Sequence, residues 1–247
     1  MRIPVIALIA LGLAVNAFGA DGKSVNYKSG DETVSGVLFV PPGGGPFPAL
    51  VLIHEWWGMN DWAKGQAARL ADQGYVTLAI DLYRGKVATN PEEAHELMRG
   101  VPEDRAARDL LAAFDYLVAQ KNVDGRRIGD IGWCMGGGYA FDLAVSQSRL
   151  KAAVINYGHL ASDVSTVQGM NAAFLGIFGA QDKGIPEADV RRFQEQMKAA
   201  GKKVEIVIYP DAGHGFENPN NKDGYRPQDA ADAWNKTVAF LDANLKK

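Results

Sequence analysis

The chain of 247 residues carries 47% hydrophobic and 22% charged residues and a net charge of −3. That suffices for one α/β domain with a substantial core and falls short of two. Lys and Arg are scattered and form no basic face, so neither a nucleic acid nor an anionic membrane surface is expected as a partner.

The first twenty residues stand apart. Met1-Arg2 is a short positive start, residues 3–15 are almost wholly apolar, and small residues follow at Ala17, Gly19 and Ala20. This order is that of a secretory signal peptide, and the apolar run is short for a membrane span. Cleavage after Gly19, or alternatively after Ala17, is expected to leave residues 21–247 as a single domain, periplasmic or secreted and free of the membrane.

Beyond it, short apolar runs rich in β-branched residues alternate with longer amphipathic segments. A strand is predicted at 33–40, ending at Pro41-Pro42, and a second at 49–54, whose unbroken apolar run suits a strand covered on both faces. A helix follows at 61–73, stopped by Gly74, then a strand at 76–80 and a helix at 90–99 with Asn90 as cap and Pro91 at its first position. Leu110, Leu111, Phe114 and Leu117 repeat at helical spacing and predict a helix at 103–120. The remaining expectations are strands at 127–132, 151–157, 172–178 and 204–209, and helices at 135–146, 186–200 and 228–245. Repeated strand–helix units imply an α/β fold with a doubly wound, mainly parallel sheet and helices on both faces. Ligands in such sheets sit beyond the carboxyl ends of the strands, so the residues just after each strand are the place to look for chemistry.

The strand at 127–132 runs into Gly132-Trp133-Cys134-Met135-Gly136-Gly137-Gly138. G-x-C-x-G between a strand and a helix is the nucleophile-elbow pattern with sulfur in place of oxygen. The helix beyond it presents backbone N–H groups and the positive end of its dipole, which favour thiolate. Cys134 is the only cysteine, so an internal disulfide is excluded; an exported lone thiol is either buried and inert or kept for chemistry. Later strand ends supply Asp182 after 172–178 and His214, flanked by Gly213 and Gly215, after 204–209. Nucleophile, acid and base thus follow in the chain order of an α/β-hydrolase, with His214 as the proton-transfer group and Asp182 as its orienting carboxylate. Asp211 sits too near His214 and shapes a turn; Asp130 lies inside a strand; His95 and His159 lack a matching acid. After 49–54 come Glu55-Trp56-Trp57-Gly58, and the backbone N–H groups of Trp56 and Met135 are the expected oxyanion donors.

Together His54-Glu55-Trp56-Trp57-Gly58, Asp81-Leu82-Tyr83-Arg84, the cysteine elbow, Asp182 and Gly213-His214-Gly215-Phe216 resemble the dienelactone hydrolase (carboxymethylenebutenolidase) family of the α/β-hydrolase fold, over essentially the whole mature chain. The resemblance implies hydrolysis of a small ester or lactone through a cysteine thioester, with Glu55 taking the thiol proton when substrate binds. It also implies two arginines holding a substrate carboxylate. Arg84 is near the first of these positions, offset by about one residue. The second position reads Phe216-Glu217-Asn218, where Glu217 is expected to repel an anion and Arg226 is the nearest substitute in sequence. Tyr83, Trp57, Trp133 and Phe216 are expected to line the substrate pocket beside Arg84, with part of this aromatic set going to the core instead.

No phosphate loop and no metal-ligand spacing occurs, so neither cofactor nor metal is expected, and the chain is expected to act as a monomer on a small molecule. Three other readings stay open: a broad carboxylesterase for small neutral esters, a binding protein that has lost catalysis, and a periplasmic thiol sensor.

Overall fold

The computed structural model describes residues 21–161 and 163–247; the signal peptide expected at 1–20 falls outside the described residues. The chain begins with an antiparallel hairpin, β1 (Lys23–Ser29) and β2 (Glu32–Phe39), then β3 (Phe47–Ile53), α1 (Asp61–Asp72) and β4 (Val76–Ile80). Helices α2 (Pro91–Arg99) and α3 (Glu103–Val118) lead to the long central strand β5 (Val123–Trp133) and its helix α4 (Met135–Ser146). The second half runs β6 (Ala152–Asn156), a 3-10 turn (Val164–Val167), β7 (Ala173–Gly179), α5 (Glu187–Ala199), β8 (Val204–Tyr209) and α6 (Pro227–Leu245).

The eight strands form one sheet in the order β1-β2-β4-β3-β5-β6-β7-β8, parallel from β4 to β8 and antiparallel at the β1–β2 and β2–β4 pairs. Strand β3 shows why its sequence is apolar throughout. Ala49, Val51 and Ile53 enter a core with Leu110 and Phe114 of α3 and Leu143 of α4, while Leu50 and Leu52 enter a second core with Ala67 and Leu70 of α1 and Leu241 of α6. Burial on both faces removes any polar alternation. Helices α1 and α2 begin at side-chain caps: Asn60 accepts the Ala63 N–H at 3.0 Å and Asn90 accepts the Glu93 N–H at 2.9 Å.

Strand β1 was not among the sequence expectations, because Lys23–Ser29 alternates polar and apolar residues at the sheet edge and only Tyr27 and Ser29 are buried. Strand β5 also starts earlier than expected, at Val123, and runs through to Trp133. The carboxyl ends of β3, β5, β7 and β8 deliver Glu55, Cys134, Asp182 and His214 to one edge of the sheet.

Candidate active site

Cys134 occupies the turn between β5 and α4 with φ 56 and ψ −121. A residue with a Cβ pays a steric penalty of about 1–3 kcal/mol in so sparsely populated a conformation. The surroundings hold it there: its N–H donates to the Asn156 carbonyl at 3.0 Å, and its own carbonyl accepts from Gly137 and Gly138 at 3.0 and 3.2 Å. The flanking glycines are required by close approach. A Cβ on Gly132 would lie 2.0 Å from the Gly136 carbonyl oxygen, and one on Gly136 would lie 2.3 Å from that of Ile53. Helix α4 therefore packs directly on the backbone of β3 and β5. Met135 opens α4 and has no helical carbonyl to bind; neither its N–H nor that of Trp56 meets an acceptor among the described residues.

His214 Nδ1 lies 2.7 Å from Asp182 Oδ2. The other carboxylate oxygen of Asp182 accepts the Gly184 and Ile185 N–H groups at 2.8 and 3.2 Å, so the side chain is fixed from both ends. The two loops are tied by the Gln181 N–H on the Ala212 carbonyl at 2.9 Å. Burial opposes a charge on the imidazole, yet the Asp182 carboxylate and the Cys134 sulfur outweigh it and raise the His214 pKa to about 10. Burial likewise works against the Asp182 carboxylate, but His214 and the two N–H groups hold its pKa below the usual range.

Glu55 is buried beside this pair. Its Oε2 accepts from Asn218 Nδ2 at 2.6 Å, and the Tyr157 hydroxyl lies 3.4 Å from Oε1. Burial dominates, and despite Asn218, the nearby His214 and Tyr157, the carboxyl is pushed up to about 7. His54, fully buried, accepts the Leu82 N–H on Nε2 at 3.3 Å and so donates from Nδ1 to the Glu55 carbonyl at 2.6 Å, which pins the loop after β3. Glu55, Cys134 and His214 line one cavity of about 630 Å³, together with Trp56, Trp57, Met98 and the loop around Asn218 to Asp223. No cluster of three or more His, Cys, Asp or Glu side chains able to hold a metal ion occurs among the described residues.

The chain has relatives among known proteins. The dienelactone hydrolase family profile matches residues 34–245. A Methylorubrum extorquens protein provisionally named carboxymethylenebutenolidase is 33% identical over 238 residues, covering 91% of this chain and 81% of its own, and an Escherichia coli K12 protein with the same provisional name is 31% identical over 80% and 77%. The chain belongs to the dienelactone hydrolase family. Among solved structures, a dienelactone hydrolase-like promiscuous phosphotriesterase from metagenomic libraries superposes with a TM-score of 0.84 at 25% identity, covering 92% of this chain and 99% of its own. Pyrococcus horikoshii acylaminoacyl peptidase, at 18% identity and a TM-score of 0.75 over 42% of its length, shares the α/β-hydrolase fold.

Within this dienelactone hydrolase family fold, several expected pocket residues lie elsewhere. Arg84 does not line the cavity. Its guanidinium meets Asp109 Oδ2 at 2.7 Å and Glu32 Oε2 at 3.1 Å, so it braces β2 against α3. Tyr83 is buried, and its hydroxyl donates to the Trp56 carbonyl at 2.9 Å, supporting the loop rather than facing substrate. Trp133 packs edge-on against Trp62 and donates its indole N–H to Glu217 Oε2 at 3.1 Å. Phe216 is fully buried against Tyr157 and Tyr209. Of that group Trp57 alone lines the cavity. Glu217 points away from it as well, and Arg226 is spent on the backbone carbonyls of Asp211, Asp223 and Tyr225.

Sequence reasoning missed Tyr157, Met98 and the function of Asn218. Tyr157 stands directly after β6, at the strand end where ligands gather, and that position was a usable signal. Asn218 falls in a run with Asn220 and Asn221, an amide-rich segment that suits a side-chain network. Met98, on α2, had no local signal at all.

Proposed function

We propose that the protein hydrolyses small carboxylic esters or lactones through a thioester on Cys134, with His214, Asp182 and Glu55 handling the protons. The observation that carries this reading is the His214–Asp182 hydrogen bond at 2.7 Å beside a cysteine held at φ 56 in the same cavity. The Asp182 carboxylate on Nδ1 favours the charged imidazole, so His214 is poised to give a proton rather than to take the thiol's. Glu55, with a pKa of about 7, is the group in the cavity that can take it. The thiolate then attacks the carbonyl carbon, and the oxyanion is received by the N–H groups of Trp56 and Met135; losing one such donor costs about 3 kcal/mol of transition-state stabilisation. As the C–O bond breaks, the imidazolium gives its proton to the leaving oxygen. Neutral His214 next removes a proton from water attacking the thioester, the acid departs, and the thiolate recovers its proton from Glu55.

The same reading takes residues 1–20 as an export signal, placing the enzyme in the periplasm or outside the cell as a monomer without cofactor. The test is turnover of a dienelactone and of p-nitrophenyl acetate by the mature protein and by Cys134→Ala. Hydrolysis lost in the variant is the expected result. Undiminished turnover by Cys134→Ala, or no turnover together with no acylation of Cys134, overturns it.

A further inference from the structure

We infer that this cavity selects uncharged esters or lactones bearing an aromatic or other apolar group over anionic ones. The inference rests on the hydrolase reading above and names its substrate class.

One wall of the cavity is apolar and rigid. Trp56 packs on Trp57 at 4.9 Å and on the His95 ring at 4.8 Å, and Met98 completes the surface. The opposite wall is made of amides whose orientation is fixed. Asn218 Oδ1 accepts the Asn220 N–H at 2.9 Å, which leaves its Nδ2 to donate to Glu55 at 2.6 Å. Asn221 donates to the carbonyls of His214 and Gly215 at 3.1 and 3.2 Å. Among the described residues, the other charged groups lining it besides Glu55 and His214 are Lys222 and Asp223, exposed sequence neighbours of opposite sign. His214, already bonded to Asp182, must stay free for the leaving oxygen. The arginines near the site are engaged elsewhere: Arg84 by Asp109 and Glu32, Arg105 by the Leu82 carbonyl, Arg226 by three carbonyls of its own loop.

A substrate carboxylate entering here leaves water, meets the Glu55 carboxyl and finds no fixed arginine to replace its hydration. An uncharged chain gives up little and gains the contact area of two indoles.

The experiment compares p-nitrophenyl valerate with the p-nitrophenyl monoester of glutaric acid, which exchanges the terminal methyl for a carboxylate. The wild type is expected to favour valerate in kcat/KM by about thirtyfold or more, since each factor of ten corresponds to about 1.4 kcal/mol. Met98→Lys, which brings a cation to the cavity from a helix open to solvent, is expected to cut that ratio by about tenfold, and an unchanged ratio counts against the inference. Trp57→Ala is expected to raise KM for p-nitrophenyl phenylacetate by a larger factor than KM for the acetate, and an equal rise for both counts against the apolar wall as the source of the preference. Equal or better wild-type turnover of the glutarate ester overturns the inference and leaves the hydrolase reading standing. If neither ester turns over, calorimetry with the anilides of the same two acids reads the preference directly. Tighter binding of the uncharged anilide then supports the inference while the hydrolase reading falls, and equal binding overturns the inference too.

Discussion

Glu55 is a carboxyl surrounded by groups that can hydrogen-bond it but carry no formal charge of their own in contact with it. Asn218 and Tyr157 offer N–H and O–H, and burial prevails over both, leaving the pKa at about 7 against 4.5 for the free side chain. The sign of the stability effect follows. Below pH 4.5 both folded and unfolded chains hold the proton; above it the unfolded chain releases it while the folded one retains it to about pH 7, so rising pH favours unfolding over that interval. The full difference is about 3 kcal/mol, reached above pH 7. Glu55→Gln keeps an acceptor for Asn218 and removes the charge. The variant is expected to match wild type in denaturant unfolding at pH 4, to exceed it by up to about 3 kcal/mol at pH 8, and to lose at least about tenfold in esterase rate. A variant no more stable at pH 8 than wild type, or one with full activity, contradicts this account of the residue.

At the scale of elements, the elbow depends on how closely α4 approaches the sheet. Gly136 and Gly138 sit two residues apart in that helix and face different surroundings. A Cβ on Gly136 would lie 2.3 Å from the Ile53 carbonyl oxygen and 2.4 Å from that of His54, whereas a Cβ on Gly138 would find its nearest neighbour, the His159 Cβ, at 3.6 Å. Gly136→Ala is therefore expected to cost roughly 3 kcal/mol or more and to lower Tm by about 10 °C, or to leave the protein insoluble. Gly138→Ala is expected to be neutral or to stabilise by about 0.5–1 kcal/mol through helix propensity. Thermal unfolding of the pair checks both, and similar Tm values for the two variants would refute the close-packing argument. These elements also show what a sequence can and cannot reveal. Strands β3, β4, β6 and β7 are legible because burial on both faces leaves them almost wholly apolar, with Thr77 and Asn156 the polar exceptions, and α4 because glycines announce its start. Cys134, Asp182 and His214 are legible because each stands at a strand end. The fate of Arg84 is not, since this turn residue depends on Asp109, a buried carboxylate on α3. Nor are the directions of Glu217 and Asn218, neighbours that turn to opposite sides of their loop, one to Trp133 and the other to Glu55.

The molecule as a whole carries several buried acids whose proton affinities are raised together. Burial pushes Glu217 up to about 8, with the charge of Glu55 adding to it. Asp130, at the centre of β5 and in register with Val51 and Ala153, lies in the core with no partner for either oxygen among the described residues, and burial raises it well above the usual carboxylate range. With Glu55 these acids stay protonated in the fold at pH values where the unfolded chain has ionised them. His214 acts in the same direction higher up: raised to about 10, it contributes stability below pH 6.5 that is lost as the pH climbs towards 10. Asp182 opposes them only on the acid side, where its lowered pKa means stability is lost as pH falls. Between about pH 5 and pH 8 the native state therefore binds more protons than the unfolded state, and stability declines as pH rises. Tm is expected to be highest near pH 5 and to fall by pH 8, with Asp130→Val flattening the decline because it removes one proton from the difference. Calorimetric scans at matched ionic strength decide it. A Tm that climbs from pH 5 to pH 8, or an Asp130→Val variant with the wild-type slope, would mean that these carboxyls are ionised inside the fold.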